Sequence, residues 1–211
     1  MQDKKRIFGL VSLLTLIAGQ APKALHAEEF KPLTLQGRPS LAVGKAMPEL
    51  SAMDSSGVSV AICDGKAKWT IVAFLSTRCA CTARYLERLE TVGKTFAGQS
   101  VRLIGVNSNA NEQAVDVKLF AKSQGLTFPL LKDSDDRVAF ALRPRATPEV
   151  FVLDANRIVR YHGAIDDSLY GDKITHFYLR DALAALTSGK TPTKSDVPVL
   201  GCGIFVPKQS P

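Results

Sequence analysis

The pattern of apolar and polar positions predicts alternating strands and helices. Residues 69–75 (WTIVAFL) and 101–107 (VRLIGVN) are continuous runs of β-branched and other apolar residues. Such runs are typical of strands buried on both faces of a sheet. Between them, apolar side chains recur at helical spacing with charged residues among them, which predicts an amphipathic helix. Its apolar positions are Tyr85, Leu86, Leu89, Val92 and Phe96.

The second half of the chain continues this alternation. A helix is predicted over 112–124, and a short strand follows at 128–133. The segments TPEVFVLD and RIVRYHG alternate in polarity and predict a hairpin that turns at Ala155 and Asn156. A final helix is predicted over 173–187. The residues expected to face inward are Val115, Leu119 and Phe120 in the first of these helices and Ile174, Phe177, Leu183 and Leu186 in the last.

This order of elements predicts the fold class and the domain organisation. Strands that alternate with helices indicate an α/β fold with a central mixed sheet flanked by helices. Residues 44–188 show no internal repeat and no break, so we expect them to form one domain. A loosely held polar arm at 28–43 is expected to precede it, and a tail at 189–211, rich in Pro, Gly and Ser, carries Cys202.

The first 27 residues are predicted to be a signal peptide. A positively charged N-terminal region contains Lys4, Lys5 and Arg6, and residues 7–18 form an apolar region. Small residues then precede a predicted cleavage site near Ala27. The apolar run is shorter than the roughly 18 to 20 residues that a membrane span needs. We therefore expect an exported protein, periplasmic or secreted, with no membrane association once the signal is removed.

The charge of the chain is mildly basic. It has 27 Lys and Arg residues against 20 Asp and Glu, a net charge of +7. The charged residues are spread along the chain, and no basic stripe is interleaved with aromatic residues. Nucleic acid is therefore not expected as a partner.

Cys79 is the strongest candidate for chemistry. It lies four residues after Leu75, where a predicted buried strand gives way to a predicted helix. Functional groups gather at this edge of α/β sheets. The free N–H groups and the positive end of the helix dipole favour a thiolate there, and Arg78 and Arg84 are close in sequence. We expect Cys79 to be an exposed nucleophile; the alternative is a buried structural cysteine.

The other cysteines leave several pairings open. Four cysteines allow three complete pairings, and the sequence does not choose among them. Cys81 is two residues from Cys79, and such residues point to different faces of a helix, so a bond between them requires the first turn to unwind. Cys202 is either a resolving thiol that swings toward Cys79 or an unreactive cysteine pinned by packing of the tail. Cys63 is expected to pack as a small hydrophobic residue.

No metal or other cofactor is predicted. A metal site would need ligands beyond Cys79 and Cys81, and after residue 27 the only histidines are His162 and His176. Neither is at a recognisable ligand spacing.

Seven segments in order resemble the redoxin branch of the thioredoxin superfamily, the alkyl hydroperoxide reductase/thiol-specific antioxidant group. The likeness is to its exported, peroxiredoxin-like members. These segments run from Gly44 to Ile204 and are VGKAMPEL, FLSTRCACTARYLERL, IGVNSNAN, FPLLKD, TPEVFVLD, RYHGAIDDS and VLGCGI.

The resemblance implies a thioredoxin-like fold with Cys79 as the peroxidatic or nucleophilic cysteine. It also implies that Thr147 and Pro148 form a cis-proline turn that faces Cys79 and holds a peptide or thiol partner. Ser76 keeps the hydroxyl that peroxiredoxins carry three residues before their cysteine. Arg145 is the candidate for a second positive charge beside the thiolate.

The chain departs from the family pattern at three positions. Ser76 stands where some members have the first cysteine of a CxxC motif, so that dithiol is missing. Ala80 replaces the proline that usually follows the cysteine, and His162 replaces an arginine. These departures argue against classical peroxidase activity, but the reactive Cys79 is retained.

Four functions are compatible with this sequence. In a thiol peroxidase, Cys79 attacks a peroxide, Cys202 or Cys81 resolves the sulfenic acid, and an external thioredoxin-like thiol restores the pair. In a thiol–disulfide oxidoreductase, Cys79 attacks protein disulfides. In a copper-binding protein, Cys79, Cys81 and either His162 or Cys202 hold Cu(I), which soft thiolates suit. The fourth is a family member without catalysis.

Overall fold

The computed structural model describes residues 33–34 and 39–206. The predicted signal peptide at 1–27 lies outside the described residues. The strands are β1 (Leu33–Thr34), β2 (Ser51–Met53), β3 (Ser59–Ala61), β4 (Trp69–Phe74), β5 (Val101–Asn107), β6 (Leu130–Lys132), β7 (Glu149–Asp154), β8 (Val159–Gly163) and β9 (Phe205–Val206). The helices are α1 (Ala80–Phe96), α2 (Ala114–Ser123), α3 (Arg137–Leu142) and α4 (Tyr178–Thr187), with a 3-10 turn at Ala97–Gln99.

Seven of these strands form one mixed sheet in the order β3-β2-β6-β5-β4-β7-β8. The β4–β5 and β5–β6 pairs are parallel and the others antiparallel, which confirms the predicted sheet. The predicted hairpin joins β7 to β8. Asp154 fixes its turn, because Oδ1 accepts the backbone N–H groups of Asn156 and Ile158 at 2.9 and 3.0 Å.

The core consists of two apolar clusters, one on each face of the sheet. Successive side chains of a strand point to opposite faces. Ile71 and Ala73 of β4 therefore join the cluster that α1 and α4 cover, whereas Val72 and Phe74 join the cluster that includes α3. Helices on both faces confirm the predicted architecture, and burial of the whole of β4 confirms its prediction as a central strand.

The predicted inward face of helix 112–124 is wrong at Val115 and Leu119, whereas Phe120 packs partly buried against the core as predicted. Val115 and Leu119 are each 59% exposed, whereas Val117 is buried against the sheet. Apolar residues occur on more than one side of this helix, so spacing alone could not identify its buried side. Packing of Val117 together with the partly buried Phe120 decides the orientation.

The final helix begins at Tyr178 rather than at the predicted Lys173. Asp167 holds the preceding segment in a loop, because its Oδ1 accepts the backbone N–H groups of Thr175 and His176 at 2.9 and 3.0 Å. Ile174 and Phe177 are consequently outside the helix. Within it, Leu183 and Leu186 are buried as predicted.

The described part of the tail is packed against the domain. The backbone N–H of His162 donates to Ser195 at 2.9 Å, and that of Val197 donates to His162 at 3.1 Å. Farther on, β9 pairs with β1, so this part of the predicted arm is also held. Val197, Ile204 and Val206 are buried. The described part of the tail is therefore held in place by backbone hydrogen bonds and by packing, and it brings Cys202 to Cys79.

Within the described ranges, no helix is both long enough and apolar enough to cross a lipid bilayer.

Candidate active site

Cys79 occupies the junction between β4 and α1. It is the N-cap residue of α1, with an extended backbone (φ −92°, ψ 114°), and the helix starts at Ala80. No side chain caps this end, and its first turn contains no acidic residue. No other side chain neutralises the positive end of the helix dipole here. That end can therefore stabilise a negative charge on Cys79, which favours a thiolate when Cys79 is reduced.

Cys79 is bonded to Cys202 in a disulfide across 123 residues of sequence. Their Cα atoms lie 6.0 Å apart, which is within the usual range for such bonds. Cys79 is only 4% exposed in this state, whereas Cys202 is partly exposed. Cys79, which we expected at an exposed edge, is therefore buried, and Cys202 is the more accessible residue of the pair.

The backbone of Cys202 is fixed independently of the disulfide. Its carbonyl accepts the N–H of Thr147 at 2.8 Å, and its N–H donates to the carbonyl of Thr147 at 3.0 Å. Gly201 allows this approach, because a Cβ there would collide with the Thr147 carbonyl. Gly163 does the same where the tail crosses β8 at Val197.

Thr147, the residue before Pro148, lies directly against Cys79. The peptide bond between them is cis, as the resemblance implied. The Thr147 carbonyl oxygen is 3.2 Å from the Cys79 sulfur. One residue thus contacts Cys79 and also holds Cys202.

Ser76 belongs to a buried polar network centred on Glu112. Its Oγ donates to Glu112 Oε1 at 2.5 Å, and the Thr77 N–H donates to Oε2 at 2.7 Å. Asn107 Nδ2 donates to the same Oε2 at 2.8 Å. Glu112 is 2% exposed, and the Ser76 hydroxyl is engaged by it rather than directed at the cysteine pair.

A buried lysine lies on the other side of this network. Lys132 Nζ donates to Asn107 Oδ1 at 3.0 Å and to the Asn109 carbonyl at 2.7 Å. Burial lowers the pKa of Lys132, and the charges of Asp136, Glu112 and Asp133 oppose that shift. Sequence reasoning missed Glu112 and Lys132, because residues so far apart in the chain carry no local signal of their proximity.

Arg145 joins the proline turn to the tail. Its Nη2 donates to Glu149 Oε1 at 2.6 Å and to the Val197 carbonyl at 2.8 Å, and its Nη1 donates to Asp196 at 3.0 Å. His162 Nδ1 lies 3.3 Å from the same Nη2, and its ring stacks on Phe151. The guanidinium of Arg145 forms ion pairs with the carboxylates of Glu149 and Asp196. None of its hydrogen bonds within the described residues is to Cys79.

Cys81 is a free, partly exposed thiol on the first turn of α1. The sulfur atoms of Cys79, Cys81 and Cys202 all lie within 4.8 Å of one another. We expected the side chains of Cys79 and Cys81 to diverge. They do not, because Cys79 precedes the helix and its extended backbone frees its side chain from the helical direction.

Cys63 packs as expected against the second core cluster, away from this group of sulfurs. Burial raises the pKa of its thiol, and a hydrogen bond with Thr70 acts in the opposite direction.

An open groove of about 270 Å³ runs beside the proline turn. Tyr85, Pro148, Ile165, Tyr178, Val197 and Leu200 line it, with the carboxylate-bearing Asp166 and Asp167 at its side. Leu200 is two residues from Cys202 and 73% exposed. The groove thus lies beside the tail segment that carries Cys202.

Comparisons with known proteins agree with this geometry. Residues 43–162 match the model of the AhpC/TSA family. The chain is 26% identical over 160 residues to the thiol-disulfide oxidoreductase ResA of Geobacillus thermodenitrificans, covering 76% of this chain and 88% of ResA. It is 24% identical over 129 residues to a Mycobacterium tuberculosis protein named "Putative peroxiredoxin", covering 60% of this chain and 80% of that protein.

Solved structures show the same fold. A hypothetical protein from Sinorhizobium meliloti 1021 has a TM-score of 0.70 at 30% identity, over 79% of this chain and 95% of that one. The thioredoxin domain of a thiol-disulfide oxidoreductase from Bacteroides vulgatus has a TM-score of 0.54 at 22% identity, over 62% and 94% of the two chains. The predicted thioredoxin-like fold is confirmed.

Proposed function

Since this chain belongs to the AhpC/TSA family, we propose that it is a thiol–disulfide oxidoreductase whose working couple is Cys79 and Cys202. The observation that carries this proposal is their disulfide at the start of α1, beside the proline turn. Ser76 fixes the loop before Cys79 through Glu112, and Arg145 fixes the tail that carries Cys202. Thr147 contacts both cysteines, and Pro148 follows it in the cis-proline turn.

In this proposal, reduction of the couple starts at Cys202, the more exposed residue of the pair. A thiolate of an external dithiol attacks the Cys202 sulfur, the Cys79–Cys202 bond breaks, and Cys79 leaves as a thiolate. A leaving thiolate that is stabilised departs faster, and the N-terminus of α1 provides that stabilisation. The product is a mixed disulfide between the reductant and Cys202.

The second thiolate of the reductant then attacks the reductant's own sulfur in the mixed disulfide. Cys202 leaves as a thiolate and takes up a proton, and the reductant departs as a disulfide. Two electrons have passed to the couple. In the opposite direction, the reduced couple passes them to a disulfide substrate by the same two exchanges.

The groove beside Pro148 suits a protein partner. Its walls are largely apolar, and they include Pro148 of the proline turn and Leu200 of the tail segment that carries Cys202. A thioredoxin-like reductant and a substrate with an accessible disulfide are the partners of this proposal. Export through the signal peptide at 1–27 would place the reaction in an oxidising compartment, where disulfides persist.

A second candidate oxidant is a peroxide. The Cys79 thiolate attacks one peroxide oxygen, the O–O bond breaks, and Cys79 becomes a sulfenic acid while the other oxygen leaves and is protonated to water or an alcohol. The Cys202 thiol then condenses with the sulfenic acid, water leaves, and the observed disulfide forms. The peroxide reaction ends in the same Cys79–Cys202 disulfide, and this observed bond supports it as the second candidate. The engagement of Ser76 by Glu112 and of Arg145 by Glu149 favours disulfide exchange over it.

Competition between oxidants tests the proposal. The reduced protein is mixed with oxidised lipoamide or hydrogen peroxide at equal concentrations, trapped with a maleimide at set times and mapped by mass spectrometry. We expect oxidised lipoamide to form the Cys79–Cys202 bond faster, and Cys63→Ser to behave as wild type. Faster bond formation by peroxide would favour the second candidate, and failure of both oxidants would exclude the redox couple.

A further inference from the structure

The redox couple uses two of the three sulfurs that meet at the start of α1. Cys81 is a free thiol, and its sulfur lies within 4.8 Å of those of Cys79 and Cys202. The exchange reaction described above has no step for it. Three thiolates at these distances can bind one metal ion together.

The distances suit a single ion. A metal–sulfur bond of about 2.3 Å places the sulfurs of a three-coordinate site about 4 Å apart. All three sulfurs already lie within 4.8 Å of one another, so opening the disulfide by a small side-chain rotation brings them to that spacing. The two backbone hydrogen bonds between Cys202 and Thr147 keep Cys202 in place after reduction.

The ligand chemistry indicates which ion. The group of potential ligands in the described residues consists of cysteines alone, without a carboxylate or an imidazole. His162 takes no part, since its Nδ1 faces Glu149 and Arg145. Soft thiolates select Cu(I), whereas structural Zn²⁺ sites take four ligands.

The electrostatic surroundings also favour an anionic complex. Cu(I) with three thiolates carries a net charge of −2. The N-terminus of α1, which has no acidic residue in its first turn, lies beside it.

We propose that the reduced protein binds one Cu(I) ion through Cys79, Cys81 and Cys202. An external dithiol first reduces the disulfide by two electrons, and binding of the ion then displaces the protons of the three thiols. When a disulfide substrate accepts two electrons from Cys79 and Cys202, the site loses two ligands and releases the ion. The proposal goes beyond the redox function, although it uses the same couple.

Anaerobic titration with Cu(I) tests this assignment. The fully reduced protein receives Cu(I) as its bicinchoninate complex, and native mass spectrometry gives the stoichiometry. We expect one ion per chain and, by X-ray absorption, three sulfur neighbours at about 2.3 Å. The oxidised protein should leave the complex intact. Absence of binding by the reduced protein, or preferential uptake of Zn²⁺ from an equimolar mixture, would overturn the proposal.

Serine variants identify the ligands. Cys81→Ser should weaken Cu(I) binding by about tenfold or more, because one ligand is lost. Cys63→Ser is the matched control and should bind as wild type. Unchanged affinity in Cys81→Ser would contradict a three-sulfur site. The lipoamide assay on metal-free wild type separates the two proposals. Exchange without copper binding contradicts only the copper site. Copper binding without exchange supports the site but contradicts the redox function and, with it, release of the ion by a disulfide substrate.

Discussion

Cys202 and Thr147 exchange a pair of backbone hydrogen bonds, at 2.8 and 3.0 Å, while the Thr147 carbonyl oxygen also lies 3.2 Å from the Cys79 sulfur. A tail residue 123 positions away is thereby held against the cysteine at the start of α1. The tail is part of the candidate active site in this arrangement, and the positions of the two cysteines depend on backbone contacts as well as on the sulfur–sulfur bond.

Substituting Gly201 tests that dependence. Gly201→Ala places a Cβ against the Thr147 carbonyl, so the tail must shift. We expect a loss of about 1–3 kcal/mol in the free energy of unfolding, as for other overpacked sites, and slower closure of the Cys79–Cys202 bond. Denaturant unfolding and timed thiol trapping measure the two effects. Gly98→Ala is the control, since a Cβ there meets no atom within 4 Å. Equal behaviour of the two variants would argue against the tail contact.

Replacing Arg145 distinguishes a tail anchor from a peroxide ligand. Arg145→Met leaves the fully buried carboxylate of Glu149 without its cation, and we expect a cost of about 3 kcal/mol in the free energy of unfolding. Hydrogen exchange should rise in residues 195–202, which the guanidinium holds. Arg180→Met removes an exposed ion pair with Asp181 and should change stability little. Unchanged stability and tail exchange, with loss of peroxide reactivity alone, would point to a role at the sulfur.

The sequence predicted much of this fold because most of its elements bury continuous or clearly periodic apolar runs. Residues 69–75 and 101–107 illustrate this, since both are long enough to identify a central strand without knowledge of their neighbours. The inward face of α2 was mispredicted because Val115 and Leu119 match helical spacing as well as Val117 does. Only packing on the sheet separates them.

The site was predictable in part. The placement of Cys79 followed from local order, because it lies between a strand and a helix. The contact partners of Ser76 and Arg145 depend on tertiary structure, since Glu112 and Asp196 are distant in the chain. The convergence of Cys81 with Cys79 depends on where α1 begins, and a shift of one residue in that boundary changes the direction of the Cys79 side chain.

Asp136 predicts a pH dependence of stability. Burial, with a smaller contribution from Asp133, raises the pKa of Asp136 to about 6, and Lys132 opposes the shift. The folded state therefore holds this proton more tightly than the unfolded state, so the contribution of Asp136 to stability falls as pH rises from about 4 to 6.

Asp136→Asn removes that penalty. We expect the variant to be more stable than wild type by roughly 1 kcal/mol at pH 7.5, after allowance for solvent screening, with the difference shrinking toward pH 4. Asparagine tolerates the left-handed backbone at this position (φ 58°). Urea unfolding of both proteins between pH 4 and 7.5 measures the difference. A gain that does not vary with pH would contradict the raised pKa.

Cys63 should be the slowest cysteine to alkylate after reduction of the protein. Burial raises the pKa of its thiol, so the reactive thiolate is scarce near neutral pH. In a variant with Cys79, Cys81 and Cys202 all changed to serine, the pH midpoint of iodoacetamide labelling should lie above that of the same protein in denaturant. A midpoint equal to the denatured value would show that Cys63 is accessible.

The most direct measurement is a peptide mass map of the purified, unreduced protein, with free thiols blocked before digestion. The structure predicts one linked pair of peptides, joining Cys79 to Cys202, with Cys63 and Cys81 carrying the blocking group. The link should vanish after treatment with dithiothreitol and return with oxidised lipoamide. A link from Cys79 to Cys81, or a blocked Cys202 after oxidation, would contradict the proposed couple.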